Sequence, residues 1–140
     1  MSRRICIIQE MSRQTKPAQL AMVFSALADE TRLRLLNLMR GREVCVCYFV
    51  EILGESQPKI SRHLAYLRRA GIVTARREGK WMHYRMERPL DEAVERVVDT
   101  ALKAVAEDRK MQADAARLDK ACCSPQRFVG LEEAPRPIAF

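Results

Sequence analysis

The stretch that decides the fold is residues 54–86, which read GESQPKISRHLAYLRRAGIVTARREGKWMHYRM. Ser56 is a residue type that caps helix N-termini, and Pro58 is tolerated because it falls in the first helical turn. The apolar residues that follow recur at three- and four-residue steps, as Ile60, Leu64 and Leu67. This spacing predicts a helix that ends at Gly71, with one apolar face towards the core and a polar, basic face opposite.

After that helix the apolar period changes from that of a helix to that of a strand. Residues 72–77 predict a first strand, Glu78-Gly79 a tight turn and residues 80–86 a second strand. A short helix over 46–53, ended by Gly54, precedes the stretch. Two short helices joined by a glycine-containing turn, followed by a two-stranded ribbon, are typical of a helix-turn-helix with a wing.

Helical periodicity continues on both sides of this region. One helix begins at Pro17, a second follows the capping residue Asp29 and ends at Gly41, and a long helix runs from Pro89 to about Lys120. We therefore predict a mainly α fold with a small β-hairpin, a winged helix-turn-helix of order α-α-α-α-β-β-α. The apolar stripe of the last helix exceeds what a small core needs, so part of it is expected to meet a second subunit.

The net charge of +7 is concentrated in one part of the chain. Between residues 56 and 85 a single acidic residue, Glu78, stands against eight basic ones: Lys59, Arg62, Arg68, Arg69, Arg76, Arg77, Lys80 and Arg85. The rest of the chain is neutral, with 17 basic and 17 acidic residues. One local basic patch is typical of a surface that binds a polyanion. Because the patch lacks the long amphipathic helix that membrane binding favours, double-stranded DNA is the expected partner.

The predicted elements give seven of these eight basic residues a place on DNA. The second helix of such a pair enters the major groove, which is ~12 Å wide, with its N-terminal residues nearest the base edges. The candidates for base contacts are therefore Gln57, Ser61 and Arg62. Other positions on the same helix are better placed for phosphates, namely Lys59, Arg68 and Arg69. The hairpin tip is expected to reach the DNA backbone or an adjacent minor groove through Arg76, Arg77 and Lys80.

A chain of 140 residues is long enough for one domain with a real core and too short for two ordinary ones. We expect a flexible N-terminal arm over 1–16, a DNA-binding and dimerisation domain over 17–120 and a C-terminal tail over 121–140. No apolar run approaches the ~18–20 residues of a membrane span, and the N-terminus lacks the apolar region of a signal peptide. The sequence therefore predicts a cytoplasmic protein without a membrane partner.

The cysteines are the second feature with chemical content. There are five, at positions 6, 45, 47, 122 and 123, and an odd number in a reducing compartment argues against a disulfide framework. Residues two apart, such as Cys45 and Cys47, point roughly 200° apart in a regular helix but face the same way, about 6.6 Å apart, in extended backbone. Binding of one soft ion by both thiols therefore favours an unwound segment here. Because this segment leads into the helix-turn-helix, binding the ion would displace the second helix of the pair, which reads the DNA.

The chain resembles the ArsR/SmtB family of metal-sensing winged-helix repressors over roughly residues 17–106. The strongest parts of the resemblance are EVCVC at 43–47, SQP at 56–58 and SRHL at 61–64. The resemblance implies a homodimer that pairs through the first and last helices. It also implies that this dimer holds an inverted-repeat operator and leaves it when metal binds.

The ligands are implied by the same resemblance. The Cys-x-Cys pair implies As(III) or Sb(III), as arsenite or antimonite, when three thiols are available, and Cd(II), Pb(II) or zinc when a fourth ligand comes from elsewhere. This chain has Val50 where arsenic sensors have a third cysteine, and Tyr48 where they have Asp. A third thiol must come from Cys122, Cys123 or Cys6. We favour the Cys122-Cys123 pair, which follows a long helix and could reach back to either subunit, whereas Cys6 resembles the N-terminal cysteines of cadmium and lead sensors.

Other interpretations keep part of this reading. The cysteines could be redox switches in the same DNA-binding protein, or incidental in an architectural DNA-binding protein without a ligand. A thiol enzyme is disfavoured because the sequence has no Cys-x-x-Cys motif, no βαβ context and no candidate base, and no small organic substrate is expected. His63 and His83 are weak ligand candidates, because neither has a histidine or carboxylate at ligand spacing.

Overall fold

The computed structural model describes residues 15–87, 90–125, 128, 130–131 and 133–140. Six helices and four strands lie in these ranges. In chain order they are α1 (Lys16–Leu27), α2 (Glu30–Leu38), β1 (Arg42–Cys45), α3 (Val46–Leu53), α4 (Gln57–Arg69), β2 (Val73–Glu78), β3 (Trp81–Met86), α5 (Glu92–Val105), α6 (Arg109–Cys123) and β4 (Ile138–Ala139). This mainly helical architecture with an antiparallel hairpin confirms the predicted winged helix-turn-helix.

Two expectations meet the limits of the described ranges. The predicted arm over 1–16 lies outside them except for Thr15 and Lys16, and so does Cys6. Thr15 caps α1, because its side chain accepts a hydrogen bond from the backbone N–H of Ala18 at 3.3 Å. Among the described helices, none has the length and apolar character needed to cross a membrane.

Helices α3 and α4 form the helix-turn-helix. Gly54 ends α3 with a φ of 67°, a left-handed conformation that glycine adopts without strain, and Ser56 caps α4 by accepting from the Lys59 N–H at 3.4 Å. Burying a large apolar side chain stabilises a fold by roughly 1.5–3 kcal/mol. The apolar faces of the two helices bury Phe49, Ile52, Ile60, Leu64 and Leu67. Their packing fixes the polar face of α4 outward.

The wing is the β2–β3 hairpin, which stays in register from Val73↔Met86 at its base to Glu78↔Trp81 at its tip. Strand β1 pairs antiparallel with β3, with Cys45 opposite His83, and β4 pairs with β1. The sheet order is therefore β2-β3-β1-β4. Strand β1 was not predicted, and it joins the wing directly to the segment that carries Cys45.

The long helix predicted from Pro89 to Lys120 is wrong in one respect, because the structure has two helices there. Helix α5 ends at Val105, and the carboxylate of Asp108 accepts hydrogen bonds from the N–H groups that open α6, at 3.0 and 3.1 Å. The chain turns at 106–108, and α6 folds back onto α2 and α3.

The C-terminal segment also differs from the expected tail. Residues 121–123 complete α6, and further along Leu131 is fully buried. Strand β4 adds to the free edge of β1, and the Phe140 N–H donates to the Gly41 carbonyl at 2.8 Å. Sequence periodicity could not predict this, because the two residues of β4 pair with Arg42 and Glu43, which are far from them in the sequence.

Candidate DNA-binding surface and thiol site

The N-terminal part of α4 presents the side chains that were predicted to reach base edges. Gln57 and Arg62 are exposed, and Ser61 is partly exposed. Lys59 is held against the preceding turn by an ion pair between its Nζ and Glu55 Oε2 at 3.0 Å. Since the apolar face of α4 is buried, these side chains lie together on its outer face, as a groove-reading helix requires.

Arg68 and Arg69 lie in the last turn of α4, and both are exposed. The Arg69 guanidinium lies over the Tyr66 ring, 5.4 Å from its centroid, and that ring positions it. Cations in a last helical turn also interact favourably with the helix dipole. The two arginines are therefore available to phosphates on the outer edge of the helix.

Some basic residues of the wing pair with carboxylates of the protein, and others extend into solvent. Arg76 donates to Glu43 Oε1 from Nη2 at 2.6 Å and from Nε at 3.1 Å, and it also pairs with Glu78 at 3.2 Å. Glu43 is buried, and the hydrogen bond from Arg76 holds the pKa of its carboxyl below the usual value. Arg76 therefore joins the wing to β1, and its charge is largely matched within the protein.

The tip of the wing keeps its cations in solvent. Arg77 donates from Nε to the Gly79 carbonyl at 3.2 Å, and Lys80 lies 4.9 Å from the Trp81 ring centroid. Lys80 also lies 3.7 Å from Glu133, but both side chains are more than two-thirds exposed. A pair in such exposure is worth little, so Arg77 and Lys80 remain accessible cations at the tip of the wing.

Arg32 holds the recognition helix and was missed by the sequence analysis. Its guanidinium donates to the Ala26 carbonyl from Nε at 2.7 Å and to the Ser25 carbonyl from Nη2 at 2.9 Å. The same group lies 4.1 Å from the Tyr66 ring centroid and 3.4 Å from His63 Nδ1. Arg32 thus fixes α4 to the end of α1. Arg32 is one of two arginines, with Arg34, among the apolar residues of α2, and their position there was the available signal.

Cys45 and Cys47 lie at the junction of β1 and α3. Cys45 is the last residue of β1 and the N-cap position of α3, with extended backbone (φ −69°, ψ 143°). Cys47 lies in the first turn of α3 and is partly exposed, whereas Cys45 is fully buried. The junction therefore places the two thiols beside each other with α3 intact: Cys45 has extended backbone, whereas Cys47 lies within the helix and is not in the unwound segment that the sequence analysis favoured.

Burial sets the protonation of this pair. It raises the pKa of the Cys45 thiol to about 11, although the backbone N–H groups of Cys47 and Val46 act in the opposite direction. The neighbouring Cys47 sulfur raises that pKa further. At neutral pH Cys45 is therefore a protonated thiol, which must lose its proton to bind a metal.

The second cysteine pair ends α6. Cys122 is partly buried against the core, and Cys123 is exposed. Burial raises the pKa of the Cys122 thiol. Within the described ranges, no three His, Cys, Asp or Glu side chains are grouped so that they could hold a metal ion. The structure thus brings Cys45 and Cys47 together without a third ligand beside them.

His83 has neighbours that sequence spacing did not reveal. The ring is 2% exposed, with Nε2 lying 3.2 Å from Glu78 Oε2 and Nδ1 lying 4.0 Å from Glu43 Oε1. The carboxylates come from the two strands that flank β3, Glu78 from β2 and Glu43 from β1. His63, by contrast, lies 3.7 Å from the capping carboxylate of Asp29. Both histidines therefore lie beside carboxylates, His63 in the helix-turn-helix and His83 in the wing sheet.

An apolar groove separates α1 from α5. Phe24 is 56% exposed and Met22 is 40% exposed, which is unusual for large apolar side chains. The groove has a volume of about 560 Å³ and is lined by Phe24, Leu27, Ala28, Arg96, Val97, Thr100 and Ala101. It lies between the first helix and α5, which is the first part of the long last helix through which the dimer was predicted to pair.

Comparison with known proteins agrees with this architecture. The model of the bacterial regulatory protein arsR family matches residues 29–75. The arsenical resistance operon repressor of Escherichia coli K12 is 42% identical over 103 residues, which cover 73% of this chain and 86% of that protein.

Solved structures give the same result. The AntR antimony-specific transcriptional repressor is 31% identical, with a TM-score of 0.53, over 68% of this chain and 86% of that one. A homodimeric winged helix-turn-helix DNA-binding domain from Mycobacterium bovis, described as a possible ArsR-family transcriptional regulator, is 30% identical. Its TM-score is 0.52, over 78% of this chain and 90% of that one. The chain belongs to the arsR family of bacterial regulatory proteins.

Proposed function

We propose that the protein is a homodimeric transcriptional repressor that binds operator DNA and is released when arsenite or antimonite binds cysteine thiolates. One observation carries the proposal: Cys45 and Cys47 lie side by side at the start of α3, the first helix of the helix-turn-helix. An ion bound there acts directly on the element that positions α4. The names of the similar E. coli protein and of AntR support a metalloid as the inducer.

The donor set fits a soft, thiol-seeking ion. Thiolates select such ions over magnesium or calcium, which prefer oxygen ligands. Arsenite binds by exchange: each cysteine thiol replaces one hydroxide of As(OH)₃, an As–S bond forms as an As–O bond breaks, and the thiol proton leaves in water. Cys45 and Cys47 provide two of these bonds, and a third thiol from Cys122, Cys123 or Cys6 completes the set.

DNA binding follows from the exposed face of α4 and the wing tip. We assign base contacts to Gln57, Ser61 and Arg62, and phosphate contacts to Lys59, Arg68, Arg69, Arg77 and Lys80, and their full or partial exposure supports this assignment. Arg76 contributes mainly by holding the wing against β1. Pairing of two chains through the α1–α5 groove would present two recognition helices to an inverted repeat, as the homodimeric neighbour suggests.

Binding of the ion and binding of DNA are then antagonistic. Capturing an ion at the β1–α3 junction moves Cys45, Cys47 or both from their positions in the structure. Because α3 and α4 share one packed core, a shift of α3 moves α4 relative to the dimer axis and to the operator. Such a coupling between two sites is typically ~1–3 kcal/mol.

The test is release of a fluorescent operator, followed by anisotropy at fixed salt, since phosphate contacts make affinity fall steeply as salt rises. Arsenite and antimonite are expected to release the wild type. In Cys45→Ser or Cys47→Ser the arsenite concentration for half-release should rise at least ~100-fold, because even partners outside the ligand set cost ~10–100-fold in metal affinity. Unchanged operator affinity without arsenite is the control for folding.

Other outcomes would select the alternatives. Release by cadmium or lead alone would identify a divalent-metal sensor and make Cys6 the next residue to substitute. Release by peroxide alone would identify a redox switch. If neither cysteine variant changes the response to arsenite, the proposed inducer site is wrong.

A further inference from the structure

The end of α6 is fixed beside the thiol pair of the same chain. Arg117 donates from Nη1 to the Ile52 carbonyl of α3 at 3.1 Å, and it reaches the Glu51 carbonyl at 3.5 Å. Leu118 is 1% exposed and Ala121 is fully buried. Helix α6 therefore packs on α3 through its last two turns, and it comes from the same polypeptide as Cys45 and Cys47.

The two C-terminal cysteines face different surroundings. Leu118, Ala121 and Cys122 fall at i, i+3 and i+4, which is one face of a helix, whereas neighbouring residues point about 100° apart. In agreement, Cys122 packs against the core and Cys123 is exposed. Only Cys122 lies on the face that meets α3.

A second link joins Cys122 to the strand that carries Cys45. The Arg42 guanidinium, at the start of β1, pairs with Asp119 Oδ1 at 3.2 Å, one turn before Cys122. Burial raises the pKa of the Cys122 thiol, and the Arg42 guanidinium acts on the same thiol in the opposite direction. The end of α6 is thus joined to β1 by the Arg42–Asp119 pair and to α3 by the hydrogen bond from Arg117 to Ile52.

A buried hydroxyl without a partner lies among these groups. Tyr48 is fully buried, and its Oη has no hydrogen-bond partner in the part of the chain that the structure describes. Tyr48 lies three residues after Cys45 on the same side of α3, and its hydroxyl is within electrostatic reach of the thiols of Cys122, Cys45 and Cys47. An unpaired buried hydroxyl costs free energy, and a thiolate-bound ion nearby would provide its missing acceptor.

We propose that Cys122, and not Cys123, supplies the third thiolate from the same chain, and that the Tyr48 hydroxyl donates a hydrogen bond to the sulfur ligands of the bound ion. The inference rests on the proposed metalloid function. Three thiols exchange with As(OH)₃ to give three As–S bonds and three waters, without any change of oxidation state. The three thiols are not grouped at ligand distance in the structure, so binding must draw the end of α6 towards the β1–α3 junction.

The neighbouring cysteine provides a matched control. Cys122→Ser should raise the arsenite concentration for operator release at least ~100-fold, and X-ray absorption should count two As–S bonds in place of three. Cys123→Ser should leave both readings as in the wild type. The inference is overturned if Cys122→Ser keeps three As–S bonds, or if Cys123→Ser gives the loss. Failure of the Cys45→Ser and Cys47→Ser variants to affect arsenite binding would instead overturn the proposed function.

Mixed dimers test whether the site lies within one chain. With two affinity tags, a Cys122→Ser chain is paired with a Cys45→Ser/Cys47→Ser chain, and bound arsenite is counted per dimer. A site within one chain predicts no tightly bound arsenite in this dimer, and one in a dimer of wild type with the triple variant. A site shared between chains predicts the reverse, and that result would contradict the inference.

Discussion

The DNA-binding surface and the thiol site of this protein are built in opposite ways. The surface uses exposed side chains of one helix and one hairpin, which are nearly contiguous from Gln57 to Lys80. The thiol site uses Cys45, buried at the end of β1, and Cys47, half-buried at the start of α3, and its proposed third ligand, Cys122, comes from α6, which packs on α3. The comparison teaches where each function can be altered independently. Helix α3 is the element they share, since it begins at the thiols and ends at the turn into α4.

The largest expected effect concerns pH and the kind of ion at the thiol site. Burial raises the pKa of the Cys45 thiol to about 11, so a divalent cation that binds this thiol must displace its proton. Cadmium affinity should therefore rise at least ~100-fold between pH 6 and pH 8, a tenfold factor per pH unit for the proton of Cys45. Arsenite affinity should stay level, because each thiol proton leaves with a hydroxide of As(OH)₃.

Competition binding at several pH values, at constant ionic strength, measures both slopes. Equal slopes for cadmium and arsenite would contradict the protonated state assigned to Cys45. The operator affinity of the ion-free protein provides the baseline at each pH.

The next effect separates the two regions through two neighbouring arginines. Arg32→Met removes the hydrogen bonds to Ser25 and Ala26, so the free energy of unfolding should fall by ~1.5–3 kcal/mol, and operator affinity should fall with it. Arsenite affinity should not change. Arg34→Met breaks the ion pair with Asp114 on α6, and it should weaken arsenite binding instead. Urea unfolding and the operator and arsenite binding assays measure these effects. Loss of arsenite affinity in Arg32→Met, with loss of operator affinity in Arg34→Met, would contradict the separation of the two regions.

A smaller effect is expected on the DNA surface itself. Arg62→Ala should weaken operator binding by ~1–3 kcal/mol and leave non-specific DNA binding nearly unchanged, as expected for a base contact. Arg77→Ala should weaken both kinds of binding and reduce the salt slope by about 1, as expected for a phosphate contact. Titrations with operator and scrambled duplexes at several salt concentrations measure this. Equal losses of affinity for the operator and the scrambled duplex in Arg62→Ala would show that Arg62 contacts a phosphate and not a base.

The smallest effect is a trade between stability and sensing at Tyr48. Removing its unpartnered hydroxyl in Tyr48→Phe should raise the free energy of unfolding by ~1 kcal/mol, while arsenite affinity falls. Tyr84→Phe, on the wing, is the control and should leave arsenite affinity unchanged. Loss of stability in Tyr48→Phe would mean that the hydroxyl already has a partner in the protein.

The same contrast explains which parts of the fold could be predicted from the sequence. The cap at Ser56, the apolar steps of α4 and the change of period after Gly71 are local signals, so the helix-turn-helix and the hairpin were predicted nearly residue by residue. The break between α5 and α6 was missed because Asp108 looks like any polar residue in a helix until its carboxylate is seen to cap α6.

The residues of the two sites also differ in whether local sequence signals or tertiary packing determine their positions. The exposed positions of Gln57 and Arg62 follow from helical spacing. The capture of Arg76 by Glu43 and the carboxylates around His83 depend on β1, a strand of four residues whose pairing is set by the wing. The thiol pair was predicted, but its place at a strand–helix junction and the packing of Cys122 near Tyr48 required the folded chain.

The central claim is that the thiol site and the DNA surface oppose each other through α3. The most direct measurement is the affinity of arsenite for the free protein and for the operator-bound protein, at one salt concentration and one pH. Because coupling is reciprocal, arsenite should bind the operator complex more weakly by the same factor, roughly 5–150-fold, by which it weakens operator binding. Equal arsenite affinity in the two states would contradict the claim.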